Sequence, residues 1–295
     1  MTPLAGNFPA TVTPFSQGGR RVDLDWIGGH LAYLERRGAD GVLAVGTNGE
    51  GPSLSLIERK QVIDAVLGQR GQLAVMIGAG CAALPETIEL CSYALESGAD
   101  AVLIVPPFYF KAVPGEGLRA YYQAVLAALP SGRKVFLYNI PSLSGVEITV
   151  ELVDFLLDKF ADKLAGVKDT SGRLPTLRQF VSRYPGLAVF CGSDGLVAQG
   201  YRLGAVGAIS AVANVFPDFL NAAARARTSK ERIEAQAAIN RVRELIKDFP
   251  SPSAIKHLLR IVAGLPQTYV RPPLRDLTAA EAAELERRVG EMGLG

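Results

Sequence analysis

A single lysine closes a short apolar run, where its amine could act as a nucleophile. Residues 164–167 are apolar or glycine and predict a buried strand that ends at Lys168. A buried ammonium group is costly unless it is paired, so burial favours the neutral amine. A neutral lysine attacks a ketone to form a Schiff base, an electron sink for making or breaking an adjacent carbon–carbon bond. The alternative is a surface lysine that reaches water.

Tyr138 is a candidate acid and base for this lysine. It stands in LYNIPSLSG (137–145), at the end of the preceding predicted strand and just before a proline turn. Consecutive strands of a barrel are neighbours, so the phenol would lie within reach of Lys168, where it could transfer protons. The alternative is a core tyrosine whose hydroxyl has a structural partner.

A glycine-rich turn, GTNGEGPSLS (46–55), follows another predicted strand and begins with Thr47, Asn48 and Gly49. Its backbone N–H groups could receive a carboxylate or phosphate, and the Thr47 hydroxyl could relay protons. The alternative is a plain tight turn that needs glycine. Because no Gly-Lys-Ser/Thr ending follows, the pattern is not that of a nucleotide-binding P-loop. Glu50 is expected to be a structural partner of the loop without a catalytic role.

Eight apolar runs alternate with helical patterns along the chain. The runs are rich in Val, Ile and Leu without clean alternation, as expected for strands that are covered on both faces. Strands that are each followed by a helix predict an α/β fold, a (β/α)8 TIM barrel. A doubly wound open sheet is the alternative, but no Gly-x-Gly-x-x-Gly pattern follows the first run. The runs are FPATVTPF (8–15), GVLAVG (41–46), LAVMIGAG (73–80), DAVLIVPP (100–107), KVFLYNIP (134–141), LAGVKD (164–169), LAVFCGSD (187–194) and AVGAIS (205–210).

The polar candidates fall where these runs end. In a barrel of this type, the functional site forms at the C-terminal ends of the strands. Thr47 follows the second run and Tyr109 the fourth, while Tyr138 lies in the fifth and Lys168 in the sixth. We therefore expect one rim that carries a single lysine and two tyrosines.

The last part of the chain carries only helical patterns. After about residue 215 no strand pattern remains, and the helical segments are broken at Pro250 and Pro252. We divide the chain into a barrel over 1–215 and a C-terminal helical extension of the same domain over 216–295. The extension is expected to serve as a cap or as an oligomer surface.

Composition and charge narrow the function classes. The 31 basic and 29 acidic residues leave a net charge of +2, which argues against a nucleic-acid partner. No apolar run reaches about 18 residues and the N-terminus lacks a signal-peptide pattern, so no membrane partner is expected. Three cysteines without a CxxC motif predict reduced core thiols in a cytoplasmic protein. His30 and His257 alone leave little material for a metal site, and no metal is predicted.

Four motifs together resemble those of one family. GTNGE, YNIPSLSG, GVKDTSG and GSD occur in the order and spacing of the dihydrodipicolinate synthase / N-acetylneuraminate lyase family, and the resemblance spans nearly the whole chain. Its members are (β/α)8 barrels with a helical C-terminal extension, usually homotetramers. They bind pyruvate, or release it from a longer 2-oxo acid, through a lysine Schiff base. The resemblance implies the same here, with no metal or organic cofactor.

The resemblance also implies roles for the matched residues. Lys168 matches the Schiff-base lysine of the G-x-K motif, and Tyr138 matches the proton-shuttling tyrosine of Y-N-x-P. Thr47 matches the first hydroxyl residue of the G-[ST]-[TS]-G-E loop. Its backbone N–H and that of Asn48, in the turn that includes Gly49, would bind the pyruvate carboxylate.

Two further matches lie elsewhere on the rim. Tyr109, in PPFYF, matches the tyrosine that enters a neighbouring subunit's site and completes the proton relay. Ile209 matches the position whose backbone carbonyl faces the region of the lysine. The resemblance therefore implies that a complete site needs a second copy of the chain.

Departures from the family patterns bear on the substrate. Dihydrodipicolinate synthases typically read Tyr-Asn-x-Pro-x-Arg-Thr-Gly, and the arginine grips the carboxylate of aspartate semialdehyde; here that position is Leu143, which cannot make a bidentate contact. Asn48 departs from the Ser-Thr pair of the lyases, and a Ser-Asn pair is typical of 4-hydroxy-2-oxoglutarate aldolases. GPSLS (51–55) and RPPL (271–274) resemble 2-keto-3-deoxygluconate aldolases. The predicted substrate-binding residues therefore combine features of several branches of the family.

These residues predict a class I, pyruvate-dependent aldolase or lyase. We expect it to join pyruvate reversibly to an aldehyde, giving a 2-keto-3-deoxy sugar acid or a sialic-acid-like compound, and Leu143 favours an acceptor without a carboxylate at that point. Alternatives on the same scaffold are dihydrodipicolinate synthase, 4-hydroxy-2-oxoglutarate aldolase and a sugar-acid dehydratase. A non-catalytic, metabolite-binding barrel is a further alternative, against which the joint presence of Tyr138, Thr47 and Tyr109 argues.

Overall fold

Eight parallel strands form the centre of the computed structural model, which describes residues 4–132 and 134–294. The strands are β1 (Gly6–Pro9), β2 (Gly41–Ala44), β3 (Ala74–Gly78), β4 (Ala101–Ile104), β5 (Val135–Asn139), β6 (Leu164–Asp169), β7 (Ala188–Cys191) and β8 (Gly207–Ser210). Their order in the sheet is β1-β8-β7-β6-β5-β4-β3-β2, and a parallel bridge between Ala10 and Leu43 brings the first strand to the second. The predicted (β/α)8 barrel is confirmed.

Helices surround the strands and continue beyond the last one. The α-helices of the described ranges are α1 (Leu24–Arg36), α2 (Leu56–Gln69), α3 (Leu84–Glu96), α4 (Gly115–Ala128), α5 (Pro141–Ser144), α6 (Val150–Phe160), α7 (Leu174–Arg183), α8 (Val197–Leu203), α9 (Pro217–Arg225), α10 (Ser229–Lys247), α11 (Ser251–Ala263) and α12 (Ala279–Glu291). The predicted C-terminal helices are confirmed. None of the helices in these ranges has both the length and the apolar character that a bilayer crossing requires.

Two apolar clusters hold the barrel together. One fills the inside of the strand ring and includes Phe8, Phe136 and Phe190, whose rings make edge-to-face contacts with centroid distances of 5.3 and 5.8 Å. The other packs the outer faces of the strands against the helices. Cys81, Cys91 and Cys191 are buried free thiols, as predicted. Because both strand faces are covered, the runs lack the alternation of a half-exposed sheet.

The sequence pattern overestimates how far the first strand extends. A strand over 8–15 is predicted, but β1 ends at Pro9. Ala10 still bridges to Leu43, but after Thr11 the chain leaves the sheet: the Thr13 hydroxyl donates to Gly49 O, and Phe15 bridges to Val22 and Tyr269. Proline lacks the N–H that a ladder needs, so Pro9 and Pro14 limit sheet pairing in this segment.

The predicted breaks of the helical tail are only partly right: the chain is non-helical at Pro250, but Pro252 lies in the first turn of α11, where proline is tolerated. A further break, which is not predicted, separates α9 from α10. α9 ends at Arg225 and α10 begins after Thr228, which forms a capping box with Glu231. α9 packs against β1 and α8, while α10 packs against α8 and α9. The division of the domain at residue 215 stays a prediction. Residues 1–3, Arg133 and Gly295, which the two predicted ranges include, lie outside the described residues.

Gly166 is the position in β6 where a side chain would do most damage. It lies in register with Phe136 and Ala188, and an added Cβ would stand 1.9 Å from Ala188 O and 2.5 Å from a Phe136 ring carbon. We expect Gly166→Ala to lower the free energy of unfolding by ~2 kcal/mol, because the strands must move apart. Denaturant unfolding checks this.

Gly68→Ala is the matched control. Gly68 is exposed near the end of α2, and an added Cβ would have no neighbour within 4 Å. This substitution should raise the free energy of unfolding by ~0.5–1 kcal/mol, because glycine loses more backbone entropy in a helix than alanine does. Equal stability of the two variants would contradict the packing argument.

Candidate active site

Lys168 and Tyr138 lie side by side at the C-terminal ends of two paired strands. β5 and β6 are parallel neighbours, and their register places Tyr138 opposite Lys168. Both residues are buried, with 5% and 3% of their surface exposed, respectively. The Lys168 Nζ lies 4.2 Å from the centroid of the Tyr138 ring. The predicted adjacency of strands five and six therefore brings an amine and a phenol into contact.

The electrostatics of this pair favour a reactive phenol. Burial by itself raises the pKa of Tyr138, since it disfavours the phenolate. The positive charge of Lys168 and hydrogen bonds with Thr47, Lys168 and Thr170 together outweigh burial, so the pKa of Tyr138 lies below its ordinary value. A phenol in this state can exchange a proton with a neighbouring amine more readily than a free tyrosine does.

The turn after β2 brings Thr47 to the same place. The Thr47 Oγ1 lies 3.4 Å from the Tyr138 Oη, so one hydroxyl joins this turn to the β5–β6 pair. Thr47 is exposed, Asn48 is half-buried and Gly49 is buried, which orders the three residues from the opening inward. The Gly49 carbonyl accepts a hydrogen bond of 2.6 Å from the Thr13 hydroxyl, which ties the turn to the segment after β1.

A cavity of about 260 Å³ opens at this rim. Thr47, Tyr138 and Ser144 are the polar side chains of its wall, and no described residue that lines it is charged. The rest of the wall is glycine, proline and apolar side chains, among them Leu103, Val105, Phe108, Ile140 and Leu143. The cavity can therefore hold a small organic molecule, and the part of that molecule in contact with the apolar wall is expected to be uncharged.

Other predicted site residues lie apart from this cluster. Tyr109 is 76% exposed, its ring against that of Phe110, and it is not among the residues that line the cavity. Ile209 is buried inside the barrel in β8, in register with Phe8. Leu143 lines the cavity and is 58% exposed, so it stands at the opening.

The structure adds Thr170, which sequence reasoning did not select. Its Oγ1 is buried, and its interaction with the Tyr138 hydroxyl helps to lower the pKa of that phenol. An added Cβ at Gly192 would lie 2.0 Å from this oxygen and 3.0 Å from Lys168 Cε, so glycine leaves room for both groups. The spacing was a usable signal, since residues two apart in an extended chain point to the same face.

Two buried carboxyl groups hold the strand ends in place. Asp169 accepts hydrogen bonds from Asn139 Nδ2 at 2.8 Å and from the Ser171 backbone N–H at 3.1 Å, which joins the end of β5 to the turn after β6. Asp194 is hydrogen-bonded to the hydroxyl of Ser210 and thereby joins the ends of β7 and β8. Burial raises the pKa of both carboxyl groups, and their hydrogen bonds oppose that rise.

Metal-ligating side chains do not cluster in the part of the chain that the structure describes. Within 4–132 and 134–294, no group of three or more His, Cys, Asp or Glu side chains could hold a metal ion. His30 is buried with its Nε2 3.3 Å from Asn214 O, and burial lowers its pKa to about 4. His257 pairs with Glu286 between α11 and α12. Both histidines thus have contacts within the fold.

A family model decides how this arrangement is to be classified. The model described as the dihydrodipicolinate synthetase family matches residues 3–292. The chain belongs to this family. The family resemblance that the sequence motifs indicate is confirmed. The barrel with its C-terminal helices is the fold expected of a member of this family.

Individual relatives of the family agree over nearly the full length. An uncharacterized DapA-like lyase of Chloroflexus aurantiacus is 40% identical over 281 residues, which cover 95% of this chain and 94% of the relative. The crystal structure of a dihydrodipicolinate synthase has a TM-score of 0.89 at 30% identity and covers 99% of this chain and 100% of its own. YagE, a prophage protein of the family from E. coli K12 solved in complex with pyruvate, has a TM-score of 0.91 at 27% identity, with 99% of each chain covered.

Family membership establishes the broad class of activity. The family comprises pyruvate-dependent class I aldolases and related synthases, and the relatives of this chain include DapA-like lyases. The chain is therefore an enzyme, a class I aldolase-type lyase, which acts on small molecules. This classification confirms the predicted enzyme class.

The charge of Lys168 should control the acidity of Tyr138. Because an adjacent ammonium group stabilises the phenolate, Lys168→Met is expected to raise the pKa of Tyr138. The titration is followed by tyrosinate absorbance, as the difference between each protein and its Tyr138→Phe counterpart. Lys163→Met, at the opposite end of β6, is the control and should leave the Tyr138 titration unchanged. An identical Tyr138 pKa with and without Lys168 would contradict the assignment.

Proposed function

We propose that this enzyme forms a Schiff base between Lys168 and pyruvate and joins the resulting enamine reversibly to an aldehyde. The observation that carries the proposal is the contact of one buried amine with one phenol of lowered pKa, itself 3.4 Å from the Thr47 hydroxyl. These three groups supply a nucleophile, an acid–base group and a proton relay. Tyr138 and Thr47 line the cavity, and Lys168 lies against the Tyr138 ring. The pyruvate complex of YagE supports pyruvate as the ketone.

The chemistry follows from these positions. The neutral amine of Lys168 adds to C2 of pyruvate, and the carbinolamine loses water once Tyr138 has delivered a proton to the leaving hydroxyl. Tyr138 then removes a proton from C3, and the enamine attacks the carbonyl carbon of the aldehyde while Tyr138 gives this proton to the aldehyde oxygen, which becomes a hydroxyl. Hydrolysis of the iminium releases a proton, and the Tyr138 phenolate takes it up. Water finally releases the product and restores the amine. The backbone N–H groups of Thr47 and Asn48, in the turn with Gly49, are proposed to bind the pyruvate carboxylate, and the Ile209 carbonyl to face the lysine.

The wall of the cavity favours an uncharged aldehyde. Leu143 stands at the opening, and the apolar side chains behind it offer no partner to a carboxylate. Burying an unpaired carboxylate there would be strongly unfavourable. We therefore propose an aldehyde without a carboxylate, such as a sugar-derived hydroxyaldehyde, so that the condensed product is a 2-keto-3-deoxy sugar acid or a sialic-acid-like compound.

Dihydrodipicolinate synthase is the second candidate. It is supported by the similarity to a solved synthase at 30% identity over nearly the whole chain. This reaction uses aspartate semialdehyde, whose carboxylate would have to be bound without an arginine at position 143. The two candidates share the Lys168 Schiff base and differ only in the aldehyde.

The exposed aromatic pair at Tyr109 supports a proposed oligomer. Tyr109 and Phe110 are 76% and 73% exposed, and neighbouring aromatic side chains of this kind are typical of protein interfaces. We propose that a second copy of the chain covers them within a homotetramer, and that Tyr109 completes the proton relay in that copy's site.

Reduction with borohydride in the presence of pyruvate should leave a covalent adduct on Lys168. The adduct forms because borohydride reduces the imine to a stable secondary amine, and peptide mass mapping locates it. Lys168→Met should abolish the adduct. Lys163→Met should retain it, because Lys163 precedes β6 at the other end of the barrel.

A second buried lysine, Lys256, could also form an adduct, so the position of the adduct is a strict test of the assignment to Lys168. Burial lowers the pKa of Lys256 to about 8, so a fraction of this amine is neutral near physiological pH. An adduct on Lys256, or none on any lysine, would overturn the proposed function.

A panel of aldehydes offered with pyruvate should separate the two candidates. Uncharged hydroxyaldehydes are expected to give a condensed 2-oxo acid at least about tenfold faster than aspartate semialdehyde, the size of effect expected when a charged group finds no partner. The condensed acids are detected by mass spectrometry. Faster turnover of aspartate semialdehyde would show that the synthase assignment is the correct one.

A further inference from the structure

Glu50 is a fully buried carboxylate at the end of the turn that carries Thr47. Its side chain is 0% exposed and accepts a hydrogen bond of 2.6 Å from Lys256 Nζ and one of 3.0 Å from the Arg271 backbone N–H. Its own backbone N–H donates to Thr47 O at 3.1 Å. One residue therefore connects the candidate carboxylate-binding turn to the C-terminal part of the chain.

The partners of Glu50 are themselves firmly held. Lys256 in α11 is 1% exposed, and its Nζ also donates to Tyr269 O at 2.5 Å. The Arg271 guanidinium donates to both carboxylate oxygens of Glu58, at 2.7 and 2.8 Å. Lys256 Nζ and Arg271 Cζ lie 4.9 and 4.5 Å from the Phe15 ring centroid. The C-terminal segment thus forms a rigid support behind the turn.

The turn has an unfavourable backbone conformation at both ends. Val45 and Glu50 have φ values of 58° and 52°, in the left-handed region that side chains other than glycine rarely adopt. Each such residue costs of order 1 kcal/mol and persists only where its surroundings hold it. The Val45 carbonyl lies 2.6 Å and 2.7 Å from where a Cβ would stand on Gly51 and Gly78, so the turn packs closely on β3.

We propose that Glu50 is a positioning residue: held by Lys256 and the Arg271 N–H, it keeps the turn over residues 45–51 in the strained conformation that directs the Thr47 and Asn48 N–H groups toward a substrate carboxylate. The inference rests on the proposed function. It assigns to the C-terminal extension a part in pyruvate binding, although no residue of the extension that the structure describes lines the cavity.

A simpler explanation is that the Glu50–Lys256 pair only fastens the extension to the barrel. Removing one partner of this buried ion pair lowers the stability of the fold under either explanation. The two explanations differ in what happens to the turn when the fold survives. Fastening alone predicts a stability change without a change in pyruvate binding, whereas positioning predicts weaker pyruvate binding in a folded protein.

Glu50→Gln tests the inference with the least disturbance of packing, since glutamine keeps the size and an oxygen acceptor for the Arg271 N–H. We expect the pyruvate concentration for half-maximal borohydride trapping to rise by roughly tenfold, as when a hydrogen bond to a charged group is lost, with a smaller change in the maximal trapping rate. Hydrogen exchange of the Thr47 and Asn48 amides should accelerate without any ligand. Lys256→Met should cause the same changes.

Glu286→Gln is the matched control. It removes the carboxylate that pairs with His257 and Arg260, so it weakens the contact of α11 with α12 without removing a partner of Glu50 or of the turn. Thermal unfolding should shift, while pyruvate half-saturation and exchange in 45–51 stay at the wild-type values. Unchanged half-saturation and exchange in Glu50→Gln and Lys256→Met would overturn the inference while leaving wild-type trapping intact. Absence of trapping in the wild type would overturn the proposed function and this inference with it.

Discussion

The lateral pairing of Tyr138 with Lys168 across β5 and β6 is the constraint on which the site depends. Parallel pairing in register is what brings a phenol and an amine together with both of them buried. The charge of the lysine then lowers the pKa of the phenol against the effect of burial. Shifting the register by one residue would turn one of the two side chains to the other face of the sheet and separate the acid–base group from the nucleophile.

Two buried lysines in the same chain show how surroundings set the role of a residue. Lys256 is held by a carboxylate and a backbone carbonyl, so its ammonium group is used in a support for the turn that carries Thr47. Lys168 instead lies against the ring of Tyr138, and Tyr138 is one of the residues that line the cavity. Gly166 allows β6 to pack closely on β7, because a Cβ there would collide with the Ala188 carbonyl oxygen. Gly192 leaves room for the Lys168 side chain, because a Cβ there would collide with Thr170 and crowd Lys168.

Much of the fold was predictable because local signals agree with one another. The eight apolar runs and the helical patterns between them predict the strands and helices, and each run overlaps one of the eight strands. The predicted strand over 8–15 was too long, because Thr13 and Phe15 bind to the turn after β2 and to the C-terminal segment, which are distant in sequence. The Glu50–Lys256 pair joins residues separated by 206 positions, and no local pattern indicates such a partner.

The sequence by itself determined the barrel, the family, and the pairing of Lys168 with Tyr138. Strands and motifs can be read from the order and spacing of residues along the chain, and consecutive strands lie side by side in a barrel. The tertiary structure decided the rest. It brought Thr47 to 3.4 Å from Tyr138, buried the Thr170 hydroxyl beside the same phenol, and placed Glu50 and Lys256 behind the turn. These contacts depend on distances across the barrel and on burial, which arise only when distant segments pack together.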